Sequence, residues 1–116
     1  MTVMNKQNAL ITAFFLFCVL QLAAQNGIIK GKITDVISNE PVMFANVLVM
    51  GTNYGTTSDE EGNYEITGVE PGLYDVRASF VGYNEATQFE IQVTSAKPVT
   101  VNFKLEEQST QLEEVV

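Results

Sequence analysis

The chain has 116 residues, with 14 Asp and Glu against six Lys and Arg, a net charge of −8, no histidine and one cysteine. That length allows one domain at most. An acidic chain whose cations are scattered singly (Lys30, Lys32, Arg77, Lys97 and Lys104 after the first) repels nucleic-acid phosphates and anionic lipid head groups.

The first stretch, "MNKQNALITAFFLFCVLQLAAQ", holds one lysine, Lys6, then an apolar run from Ala9 to Leu20, then small residues at Ala23 and Ala24. These are the three parts of a secretory signal peptide, expected over residues 1–24 with cleavage after Ala24 or close to it. The run is shorter than the roughly 20 residues of a membrane span. Cys18 lies inside it behind Phe17, where lipid attachment would want a small residue, so it is read as an apolar filler that is discarded. What remains has no cysteine and therefore no disulfide, although an exported protein could use one. It carries five basic residues against 14 acidic ones, or −9, and no segment suited to inserting in a membrane.

From Gly27 to Leu105 the pattern alternates with period two, the mark of half-buried strands. "IIKGKITD" sets Ile29, Gly31 and Ile33 against Lys30, Lys32 and Thr34. Turn formers Ser38, Asn39 and Pro41 follow. "FANVLVM" is apolar on both faces, as expected of a strand that is central or covered twice. A turn-rich stretch contains a short strand near residues 55–58. "NYEITGV" points Tyr64 and Ile66 inward. "EPG" is a tight turn in which proline presets φ and glycine accepts a positive one. "LYDVRASFVGY" points Tyr74, Val76, Ala78 and Phe80 inward. "QFEIQV" does so with Phe89, Ile91 and Val93, and "PVTVNFKL" with Val99, Val101, Phe103 and Leu105. Seven short strands at this spacing predict an all-β sandwich over residues 27–105. Its expected core is Ile33, Val47, Val49, Ile66, Val76, Phe80, Phe89, Ile91, Val101 and Phe103. Residues 106–116, "EEQSTQLEEVV", lose the alternation and are read as an extended acidic tail.

Few residues offer chemistry. Asp59, Glu61 and Asn63 alternate oxygens around Gly62, but the glycine is the fourth residue from Asp59 and not the sixth of a calcium loop, so a hairpin turn is expected there over a weak cation site. Without histidine or cysteine, general-base work falls to carboxylates, which need burial or a like charge to titrate near neutrality. Every Asp and Glu falls in a turn, on an outward strand position or in the tail, and no base stands ready to activate Ser79. No catalytic residue, metal site or cofactor is therefore expected. In "SFVGYNE", Gly82 breaks the strand and Tyr83 is expected to cover the open end of the sandwich, with ligand contact as the lesser alternative.

Taken together, "GKITD", "EPVMFANVLVMGTNYGTTSDEEGNYEI" and "PGLYDVRASFVGY" resemble the carboxypeptidase-regulatory-like domain. Gly31, Asp35, Pro41, Ala45, Gly51, Thr52, Gly55, Thr56, Asp59, Gly62, Tyr64, Pro71, Gly72, Ser79, Gly82 and Tyr83 stand at the family's positions. The Gly-Thr and Asp-x-x-Gly elements lie one residue farther apart than in the family pattern. The resemblance implies a seven-stranded, transthyretin-like β-sandwich.

A leader, this domain and a tail ending "LEEVV" resemble the N-terminus of a SusC-like TonB-dependent outer-membrane receptor. That resemblance implies a non-enzymatic periplasmic extension, held at the outer membrane by the parent receptor, with the receptor's plug and barrel as neighbours. It also puts Leu112, Glu113, Glu114, Val115 and Val116 where a TonB-contacting segment stands. Plug and barrel are absent from the 116 residues, so the chain is expected to be a fragment or a free-standing relative. The alternatives are a secreted adhesion or carbohydrate-binding module and an accessory domain of a secreted metallopeptidase.

Overall fold

The computed structural model describes residues 25–109, together with Ala13. Among them are eight strands: β1 (Gly27–Asp35), β2 (Asn46–Val49), β3 (Gly55–Thr57), β4 (Asn63–Val69), β5 (Gly72–Ser79), β6 (Ala86–Val93), β7 (Val99–Thr100) and β8 (Phe103–Leu105). They form two four-stranded sheets. In the first, β1 is central. It pairs antiparallel with β4 (Gly31 opposite Tyr64) and parallel with β7 and β8 (Ile29 opposite Val99, Ile33 opposite Phe103). The second runs β3-β2-β5-β6, antiparallel throughout.

The alternation of β1 places Ile29, Ile33 and Asp35 on the buried side. Gly31 belongs to the same inward set, and close packing explains the missing side chain. A Cβ there would lie 1.8 Å from the Val101 carbonyl oxygen and 3.0 Å from the Tyr64 ring. The Tyr64 hydroxyl donates to that same carbonyl, and its ring packs on Phe103 at 6.3 Å between centroids. Burial of the phenol drives the Tyr64 pKa well above its ordinary value. Val47, Val49, Val76, Ala78 and Val93 supply the facing layer from the second sheet.

The structure departs from the alternation in several places. The segment read as one last strand is split into β7 and β8, because Val101 N donates to Lys30 O while the Asn102 side chain accepts from Lys32 N at 2.9 Å. A side-chain oxygen there replaces a ladder carbonyl, and seven expected strands become eight. Phe89 is a correction. It is 69% exposed, not buried. Between Tyr74 opposite Ile91 and Val76 opposite Gln88, β6 carries one residue more than β5. Glu90 takes φ 53° at this bulge and donates its amide to Asp75 Oδ1. One extra residue inverts the inside–outside phase of a strand. Phe80 and Ile91, also expected to be buried, are half-buried and pack against the core's edge. β2 is internal to its sheet as expected, but its outer face is uncovered, with Leu48 43% exposed. Near the Glu70–Gly72 turn the positive φ falls on Gly68, at 72°, and not on Gly72.

Candidate functional site

The end of the sandwich from which the acidic tail departs is built around Asp35 and Tyr83. β5 ends at Ser79, and Tyr83 N donates to Phe80 O at 3.0 Å to close a turn. Gly82 takes φ 88° in that turn, a conformation that costs glycine little. The turn lays the Tyr83 ring beside Phe80, 6.1 Å between centroids. The Tyr83 hydroxyl donates to Asp35 Oδ2 at 2.7 Å, while Asp35 Oδ1 accepts from the amides of Ile37 and Ser38 at 2.8 and 3.0 Å. A carboxylate holding three donors favours its charged form. The Ser38 amide, the Tyr83 hydroxyl and the Ile37 amide accordingly lower the Asp35 pKa below its ordinary value. The same bond to Asp35, followed by burial, pushes Tyr83 up to about 12. Tyr83 therefore closes the sandwich end, as its position in "SFVGYNE" implied, and does so through an inter-sheet bond that the alternation did not foretell.

The tail meets this corner at once. Asn84 N donates to Glu106 O at 2.8 Å, Gln108 N donates to Gly82 O at 2.9 Å, and Tyr83 and Glu107 form an antiparallel bridge. The Gln108 side-chain amide adds a bond to Tyr83 O at 3.3 Å. Residues 106–108, expected to lie free beyond the last strand, are thus tied to residues 82–84. Backbone groups do the pairing, so no side-chain pattern marked it. Leu112, Glu113, Glu114, Val115 and Val116 lie outside the described residues.

The Asp59 loop is a turn. Asp59 Oδ1 accepts from the amides of Glu61 and Asn63, both at 2.9 Å, and Gly62 N donates to Asp59 O. Among the described residues no three His, Cys, Asp or Glu side chains group as metal ligands. Ser58, unremarked in the sequence, is buried beside this loop. Its hydroxyl donates to Val42 O at 2.7 Å and accepts from Ala45 N at 2.9 Å, which fixes the approach to β2.

Residues 29–116 match the model of the CarboxypepD_reg-like domain. The chain belongs to that family. Its curated relatives include the TonB-dependent receptor P39 of Formosa agariphila, 36% identical over 92% of this chain and 10% of the receptor. The TonB-dependent receptor SusC of Bacteroides thetaiotaomicron is 37% identical over 59% of this chain and 6% of that protein. Carboxypeptidase D of Anas platyrhynchos is 32% identical over 67% of this chain and 6% of the enzyme. The CarboxypepD_reg-like chain thus spans a tenth or less of each of these relatives. Among solved structures, a type II cohesin-X-dockerin complex from Acetivibrio cellulolyticus shares the β-sandwich fold. It has a TM-score of 0.59 and 19% identity, over 70% of this chain and 58% of that one.

Proposed function

We propose that this CarboxypepD_reg-like domain is the non-catalytic periplasmic extension of a TonB-dependent outer-membrane receptor. In this reading a cleaved leader over residues 1–24 exports it, residues 27–105 form the sandwich, and residues 106–116 present Leu112, Glu113, Glu114, Val115 and Val116 to the periplasmic domain of TonB. The observation that carries the reading is the likeness to receptor P39 across 92% of the chain. The Tyr83 corner supports it, because it holds the start of the tail on the domain through Gln108. β-Branched side chains next to carboxylates suit addition of the tail as a strand to a basic sheet edge, with backbone bonds giving affinity.

Titration of the TonB periplasmic domain with the chain tests this. Weak binding is expected, since a tail ordered on capture gives up conformational freedom. Val115→Pro removes a backbone donor and is expected to abolish the binding. Equal binding by both chains would overturn TonB capture. N-terminal sequencing of exported material is expected to begin near Gln25, and an intact Met1 would overturn leader cleavage.

A further inference from the structure

The outer face of the β3-β2-β5-β6 sheet carries a furrow that begins at the corner where Gln108 is bonded. One hollow is lined by Tyr83, Asn84 and Gln108 at the corner, by Asn46 and Ser79 on the sheet and by Glu85 just before β6. The last three also line a second hollow, which runs on to Leu48, Gly55 and Arg77. Gln108 therefore opens into a channel leading along β2 and β5.

Arg77 is the chain's only arginine and the only cation on the strands of this sheet. Its Nε is buried and has no hydrogen-bond partner. Its guanidinium faces Glu85 Oε1, 3.8 Å from Nη1, which is beyond hydrogen-bonding distance. A guanidinium offers five N–H donors in a fork shaped for a carboxylate. Beside it, Leu48 is 43% exposed and sits in register between Arg77 and Gly55. Gly55 has no side chain to cover it. The furrow thus joins an under-used cation to an uncovered aliphatic side chain.

We propose that this furrow is the docking site of the chain's own tail, with Arg77 receiving the carboxylate of Glu113 or Glu114 and Leu48 packing against Leu112 or Val115. The tail offers acidic and aliphatic groups side by side. The five residues from Gln108 to Glu113 span at most about 17 Å; Gln108 lines the same hollow as Ser79, and Ser79 stands about 7 Å from Arg77 along one strand. Glu85 opposes the tail's charge, but it is largely exposed and free to turn outward. Lys30, Lys32 and Lys104 belong to the other sheet, and Lys97 lies in the loop after β6 beside Thr94 and Pro98, outside the furrow. The docking does not depend on the proposed function. Its consequence does: a docked tail is withheld from TonB, so domain and partner compete for the same residues.

Amide spectra of the isotopically labelled chain test the docking. The paired substitution Glu113→Lys/Glu114→Lys changes only the tail and leaves the sandwich intact. It is expected to shift the amides of Leu48 and Arg77 and the Arg77 Nε–H signal. Arg77→Glu is expected to release the tail likewise, and combining it with the paired substitution to restore the docked spectrum. If the paired substitution leaves the Leu48 and Arg77 signals unmoved, the docking is overturned, whether or not Arg77→Glu folds. TonB titration supplies the second arm, in which Arg77→Glu is expected to bind at least several-fold more tightly than the parent. Spectral docking without TonB binding to any variant would keep the docking and overturn the proposed function.

Discussion

The two sheets share one core and differ on their outer faces. On the first, the outward positions Lys30, Lys32, Asn63, Glu65, Thr100, Asn102 and Lys104 are polar and exposed, and the apolar Ile28 on the same face of β1 is half-buried. On the second, Leu48, Leu73 and Phe89 stand 43%, 66% and 69% exposed, beside an arginine with an unmet donor. Isolated exposed hydrophobics are common on proteins. Here they lie on the sheet that also carries the furrow leading from the tail. One sheet is finished against water, and the other keeps apolar and charged groups available for another chain segment.

The sheets are first of all expected to fail together. Phe103, 2% exposed, comes from the first sheet and packs with Tyr64 under the second. Phe103→Ala is expected to cost about 3–5 kcal/mol in denaturant unfolding, a large part of a typical domain's stability of about 5–15 kcal/mol. A single transition should report it. Separate transitions for the two sheets would break the idea of a shared core.

The Asp35–Tyr83 bond ties the sheets at the tail end, and its contribution is pH-dependent. The folded state lowers the Asp35 pKa, so its contribution is complete above an unfolded value of about 3.9 and is lost as pH falls through the lower folded value. Parent and Asp35→Asn are therefore expected to differ most near neutrality and to converge in acid. Tyr83 has the opposite sign. Raised to about 12, it contributes fully below about pH 10 and loses its contribution as pH rises toward about 12. Thermal melts of parent and Tyr83→Phe across both windows check this. A gap that stays constant in both would remove the ionic tie. At the opposite end a neutral bond, Tyr74 hydroxyl to Glu70 O at 2.7 Å, closes the β4–β5 turn. Tyr74→Phe keeps the edge-on ring contact with Tyr54 and is expected to cost about 1 kcal/mol.

How much could be read from the sequence differs from strand to strand. β1, the first half of β4 and the Val99, Val101, Phe103 and Leu105 series alternate cleanly, with inward residues buried or packed on the core as expected, whereas β4 slips by one residue between Ile66 and Val69. Family motifs and spacing pointed to the fold, and Gly82 and Tyr83 to the corner. What escaped was decided by partners distant in sequence. Asn102 breaks the last strand by bonding Lys32, 70 residues earlier, and Asp75 accepts the Glu90 amide at the bulge. The tail's attachment at residues 106–108 uses backbone groups, which any sequence has. Arg77 appeared as one scattered cation, because its unmet donor depends on what surrounds it in three dimensions.

Phe89 gives the smallest expected effect and the clearest test of how the sheets differ. Period-two alternation puts its ring in the core, where truncation would cost as much as at Phe103. The bulge at Glu90 turns it out to 69% exposure. Phe89→Gln removes the ring but leaves the backbone, the bulge and the Asp75–Glu90 bond in place. Exposed substitutions away from special features stay within about 0.5 kcal/mol, and that is the change expected in denaturant unfolding. Solubility is expected to hold or improve, since an exposed aromatic is lost. A loss of about 3 kcal/mol would mean that β6 keeps strict alternation in solution. Phe89 would then belong to the core, and the second sheet's outer face would lose its exposed aromatic along β6.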